Sequence, residues 1–102
     1  MRDSEIDEAA HRFALLSDPT RLRILRTVME RGELPVHAIA EATGASRFNT
    51  SAHLNRLAAG GLLARRREAS SVYYRLDDQN LPRICEAMCE SLHRRSAALA
   101  RT

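Results

Sequence analysis

Two sets of side chains in this 102-residue sequence have types and spacing suited to chemistry. The first lies between Ala42 and Leu76, where six arginines (Arg47, Arg56, Arg65, Arg66, Arg67 and Arg75) stand against a single acid, Glu68, and Ser46, Asn49, Thr50, Ser51 and His53 lie among them. The arginine fork matches phosphate and the guanine edge by two-point contact, and short polar side chains match other base edges, so this set suits duplex DNA. The remainder has ten arginines against twelve acids, which makes the net charge of +3 a basic patch on a mildly acidic body. The second set is Cys85, Cys89 and His93, spaced i, i+4 and i+8, which a helix would align along one side. Two thiolates one turn apart suit a soft or borderline metal or metalloid ion. His93, or His11 from a second copy of the chain, would complete the ligand set. The alternative makes Cys85 a small buried hydrophobe, Cys89 an edge residue and His93 a solvated one.

The elements that must position these residues are legible as periodicities. Ile6, Ala9, Ala10, Phe13 and Leu16 recur at helical spacing, predicting a first helix from about Ser4 to Leu16. Asp18-Pro19 is a cap followed by a first-turn proline, and it opens a second helix buried through Leu22, Ile24, Leu25, Val28 and Met29, with Gly32 as its stop. Leu34-Pro35-Val36 is long enough only for an edge strand. A third helix is expected over Val36 to Thr43, buried through Ile39 and Ala40, and Gly44 ends it. Ser46 then caps a fourth helix to about Ala59, with Thr50, Leu54 and Leu57 inward and Gly60-Gly61 as its end. Leu62 to Arg67 and Ser71 to Leu76 read as a hairpin, and a last helix runs from about Gln79 to Ala100 with a stripe of Leu81, Ile84, Cys85, Met88, Leu92 and Leu99.

A helix, a Gly turn and a second helix form the arrangement whose second member enters the major groove. Arg65-Arg66-Arg67 leads into the hairpin tip at Glu68-Ala69-Ser70, so cations are presented where a wing would meet the neighbouring backbone. The expected fold is therefore mainly α with a small β-hairpin: a winged helix-turn-helix of five helices plus a wing. It forms one domain over residues 1–102, with a DNA-reading head over about 33–76. The acidic start from Met1 to Glu8 is unlike a signal peptide, no apolar run reaches the ~20 residues of a membrane span, and two cysteines fit reduced thiols in a cytoplasm. An arginine-only basic complement is equally what a GC-rich genome produces.

At this point the chain resembles the ArsR/SmtB family of bacterial winged-helix repressors. The resemblance is carried by Leu16-Ser17-Asp18-Pro19-Thr20-Arg21-Leu22-Arg23-Ile24-Leu25, Glu33-Leu34-Pro35-Val36, Ile39-Ala40-Glu41, Ser46, Ser51, His53-Leu54, Leu57, Gly61-Leu62-Leu63 and Val72-Tyr73-Tyr74-Arg75-Leu76. It implies a homodimer built on the first and last helices (about 4–16 and 79–100), which binds an inverted-repeat operator and leaves it when an inducer acts. The long apolar stripe of the last helix agrees independently, since one small domain does not need it. Many members of the family carry two cysteines where this chain has Pro35 and His37. Others carry carboxylate–histidine pairs on the last helix, of which Asp78 keeps one position while Asn80 and Ser91 replace the histidines.

Three functions follow from these readings. The leading one is a cytoplasmic repressor released by a metal, metalloid or thiol-reactive inducer at Cys85 and Cys89. The alternative is a winged-helix regulator without a small inducer, acting constitutively or through a protein partner, its thiols structural. An enzyme is disfavoured, because the chain has no acid–base pair, no Gly-rich phosphate loop and no redox cysteine spacing.

Overall fold

The structure, a computed structural model, describes residues 1–100. In chain order the elements are α1 (Asp3–Leu16), α2 (Pro19–Arg31), β1 (Leu34–Pro35), α3 (Val36–Thr43), α4 (Arg47–Ala59), β2 (Leu63–Glu68), β3 (Ser71–Leu76) and α5 (Leu81–Ala100).

Local chemistry sets most boundaries. The Asp18 carboxylate accepts from the Arg21 amide at 2.9 Å, satisfying one of the free donors at the start of α2, and Pro19 needs no donor there. Its carboxyl is held below the usual range chiefly by that backbone N–H, with help from the nearby His53. Gly44 takes the left-handed conformation (φ 73°) that ends α3 and turns the chain into α4. The predicted α5 starts later than expected. The amides of Asp77 and Asp78 donate to the Leu62 carbonyl, and this holds the chain against the sheet until Leu81.

The sheet is antiparallel in the order β1-β3-β2, so the two-residue β1 is an edge strand, as its length required. β1 pairs Leu34 with Tyr74 and Pro35 with Tyr73, which brings Glu33 beside the hairpin. Only Ala69 and Ser70 separate β2 from β3, and Ala69 sits at φ 56°, a conformation that costs an alanine about 1 kcal/mol.

The core gathers Ile24, Leu25 and Val28 of α2, Ile39 of α3, Leu54 and Leu57 of α4, Leu62, Leu63, Tyr74 and Leu81. Leu22, which periodicity assigned to the buried face, is 42% exposed. The α2 stripe is centred on Ile24, Thr27 and Val28, and at about 100° per residue Leu22 falls on its far side. α1 is fixed at one end. Leu15 packs against Gly60 so closely that a Cβ there would overlap Leu15 Cδ1, and Arg12 Nη1 donates to Asp78 Oδ2 at 2.9 Å.

α5 behaves differently from the other helices. Leu81 is buried and Cys85 packs at the core's edge, but every residue from Glu86 to Ala100 is exposed. The helix projects, and the radius of gyration is 15.5 Å against the ~13 Å of a compact domain of about 100 residues. Ile84, Met88, Leu92 and Leu99 on α5, with Ile6 and Phe13 on α1, remain large exposed hydrophobics.

Candidate DNA interface and thiol pair

α4 is built as a surface helix anchored on one side. Thr50, Leu54 and Leu57 are fully buried, and the Ser46 hydroxyl caps the helix by accepting from the Asn49 amide at 3.1 Å. Arg47, Asn49 and Arg56 are exposed, whereas Ser51 and His53 are half-buried. Thr50 needs correction. The sequence put it both among the inward residues and among the DNA contacts, and the structure leaves it no surface to offer. Its Oγ1 is buried without a hydrogen-bond partner among the described residues. Arg56 lies on the flank nearest α1, lining a groove with His11, Arg21 and Gly60.

The wing is tied to α4 by a residue that sequence reasoning missed. Asn55 Oδ1 accepts from both Arg65 Nη1 (3.1 Å) and the buried Tyr74 hydroxyl (3.2 Å), so one side-chain amide joins α4, β2 and β3. No sequence pattern marks Asn55, because its partners come from two strands that pair only in the fold. At the other end of α4, Arg47 and Ser51 share a shallow hollow with Ser70, Ser71, His37 and Val72. Helix start and wing tip thus line one continuous surface.

The three wing arginines do not act alike. Successive strand side chains alternate between faces. Arg65 turns toward α4, while Arg66 turns away into ion pairs: its guanidinium donates to Glu33 (2.6 and 3.3 Å) and to Glu68 (2.7 Å), and it stacks 4.8 Å over the Tyr73 ring. These partners raise its already high pKa further, the Glu33 hydrogen bond most strongly, and the same bond holds the Glu33 carboxyl below its usual range. Arg67 is exposed and has no ion pair among the described residues. Of the three arginines expected to meet phosphate, Arg66 is the one whose charge is paired within the fold among the described residues.

Cys85 is half-buried and Cys89 exposed, both free thiols. Burial pushes the Cys85 thiol pKa up, and the neighbouring Cys89 adds to the shift. His93 is exposed one turn further along, and His11 lies on α1 beside Arg56 and Gly60. Among the described residues no three His, Cys, Asp or Glu side chains come together as a metal-binding group. One chain thus supplies two thiols, and Asp78 is engaged by Arg12 and by the Asn80 amide. A closed soft-metal site does not fit within a single chain; a further ligand would have to come from outside it.

Five helices around a small antiparallel sheet, with α3-turn-α4 followed by the hairpin, define a winged helix-turn-helix. The family described as a helix-turn-helix domain matches residues 16–66. The chain is 35% identical over 91 residues to a cadmium resistance transcriptional regulatory protein, a CadC homolog, of Staphylococcus aureus, covering 89% of this chain and 74% of the relative. It is 38% identical over 79 residues to the HTH-type transcriptional regulator Rv0324 of Mycobacterium tuberculosis, covering 78% of this chain but spanning only 34% of that regulator. The homodimeric winged helix-turn-helix DNA-binding domain Mb0332 of Mycobacterium bovis superposes with a TM-score of 0.75 at 33% identity, covering 91% of this chain and 87% of that one. The chain belongs to the ArsR family of winged helix-turn-helix transcriptional regulators, which are DNA-binding proteins rather than enzymes. No helix among the described residues is long and apolar enough to cross a membrane.

Proposed function

We propose that the chain is a homodimeric transcriptional repressor that binds duplex DNA through α4 and the wing, at an inverted repeat, in the cytoplasm of a bacterial cell. The observation that carries this reading is that the exposed start of α4, with Arg47, and the wing tip line one surface, while Asn55 ties the later part of α4 to Arg65 and Tyr74 of the wing. Arg47, Asn49, Ser51, Arg56, Arg65 and Arg67 are its contact residues. Ser46 and His53 border the surface, the first by capping α4 and the second beside Asp18. The apolar stripe of α1 and α5 supports dimerisation, since Ile6, Phe13, Ile84, Met88, Leu92 and Leu99 are large hydrophobics left exposed on these two helices. Two-fold symmetry then places two recognition helices about one DNA turn apart.

Release by an inducer is the finer part of the proposal. Cys85 and Cys89 lie on the helix that carries the stripe, so a soft ion or thiol-reactive agent there alters how two subunits sit without touching DNA. A coupling of ~1–3 kcal/mol is enough to switch occupancy. The cadmium resistance regulator among the relatives supports a metal or metalloid as the agent. A second reading, with no small inducer, is favoured by the half-burial of Cys85 and by the lack of a third ligand within the chain.

The test is the affinity for DNA drawn from upstream of the chain's own coding region, followed by fluorescence anisotropy. Cadmium, zinc, arsenite, copper(I), peroxide and polysulfide are added in turn to the wild type and to the Cys85→Ser, Cys89→Ser double variant. Release of the wild type alone supports the sensor; identical responses to every agent make the thiols structural; no binding at all ends the DNA reading.

A further inference from the structure

Phe48, at the second position of α4, has 83% of its surface exposed, well above Phe13 at 58%. It is an apolar ring set among Arg47, Asn49, Ser51 and Arg56, on the helix otherwise best supplied with hydrogen-bonding groups. Thr50, Leu54 and Leu57 face the core, so at about 100° per residue Phe48 and Ala52 point directly away from it, one above the other at i and i+4. Both are exposed. The outermost ridge of α4 is thus apolar at its start, with polar side chains on its two flanks.

The N-terminal turn of a recognition helix is the part that meets base edges. Within the major groove only one base feature is apolar, the C5-methyl group of thymine, and Phe and Ala side chains are suited to cover it. We propose that Phe48, backed by Ala52, is a specificity-determining residue that packs on thymine methyl groups in each half-site. The inference rests on the reading of α4 as the DNA-entering helix, and it adds the base that the tip of that helix selects. Arg47 and Asn49 supply hydrogen bonds on either side, and Phe48 supplies discrimination against the three bases that lack the methyl.

The test exchanges thymine for uracil, which removes the methyl and leaves pairing unchanged. The probe is a duplex selected by the wild-type protein from a random library, with uracil placed at one thymine pair of symmetry-related positions at a time. Burial of one methyl corresponds to about a four-fold change in affinity, so at the contacted step the wild type should lose roughly fifteen-fold when both half-sites are changed. Phe48→Ala should bind the thymine duplex as weakly as the wild type binds the uracil one, and should no longer distinguish the two. Phe48 is 83% exposed and lies outside the buried core, and equal melting temperatures of variant and wild type verify that folding is unchanged. A wild type indifferent to uracil at every position overturns the methyl contact while leaving DNA binding in place. A Phe48→Ala protein that keeps the wild-type thymine-to-uracil ratio overturns it as well. Failure to select any duplex refutes the underlying reading of α4 instead.

Discussion

The Arg66 guanidinium on β2 grips both carboxylate oxygens of Glu33, at 2.6 and 3.3 Å, across 33 residues of sequence. The same guanidinium reaches Glu68 and covers Tyr73, so the wing is latched to the segment that enters β1. Arg66 therefore ties β2 to the start of β1 and leaves Arg65 and Arg67 on the other face of the strand.

This latch separates two kinds of wing variant. Arg67→Ala should weaken binding to all duplexes and lower the slope of log affinity against log salt by about 0.9, the value of one phosphate contact. Arg66→Ala should weaken binding with little change of slope, and Glu33→Gln should do the same although it removes a negative charge. Affinities at several salt concentrations check this; a Glu33→Gln chain that binds DNA more tightly than wild type would show that Arg66 is freed to meet phosphate. The depressed Glu33 carboxyl gives the pH dependence its sign. Its contribution is complete above the unfolded value and is lost only as pH falls through the lower folded one, so the latch stays closed at neutral pH and opens in acid.

Thr50→Val should raise stability by about 1 kcal/mol, because it removes a buried hydroxyl that lacks a partner at nearly constant volume. The melting temperature then rises by about 4–8 °C for a domain of this size. DNA affinity should be unchanged, since Thr50 has no exposed surface. Loss of affinity at unchanged stability would return Thr50 to the DNA contacts.

Leu92→Asp places a charge in the exposed stripe of α5 without touching the core. Sedimentation at micromolar concentration should shift from a species of twice the chain mass to the 11.4 kDa chain. DNA affinity should fall with it, because one recognition helix then binds a half-site alone. A variant that remains dimeric would mean that the stripe is covered in some other way.

The two thiols should differ in reactivity with pH. In the Leu92→Asp chain, where no partner helix shields α5, iodoacetamide should label the exposed Cys89 ahead of Cys85 at neutral pH. Burial raises the Cys85 thiol, so its labelling should keep accelerating beyond the ~8.5 of a free cysteine. Mass spectrometry of the digested chain reads both sites. Equal rates at neutral pH would contradict the shielding of Cys85.

What the sequence determined by itself is the content of its local signals. Asp18-Pro19, Gly44 and Ser46 set the starts and stops of α2, α3 and α4 within a residue of expectation, because capping depends on groups only a few positions apart. The period of Leu54 and Leu57 likewise gave α4 its buried side, and the clustering of arginine gave the basic surface. Tertiary structure decided which polar residues on that surface are free. Arg66 and Arg67 are adjacent and chemically identical in sequence, yet strand alternation sends them to opposite faces and β1 brings Glu33 to only one of them. Asn55 became the joint between helix and wing because its partners lie on two strands that pair only in the fold, and the packing of α4 left Phe48 an exposed ring at the reading end. Cys85 and Cys89 share a helix face by spacing alone, but their unequal burial follows from where α5 leaves the core. Hydrogen bonds within a turn are fixed by neighbours in the chain. Pairing of charges across 33 residues is fixed only when the sheet closes.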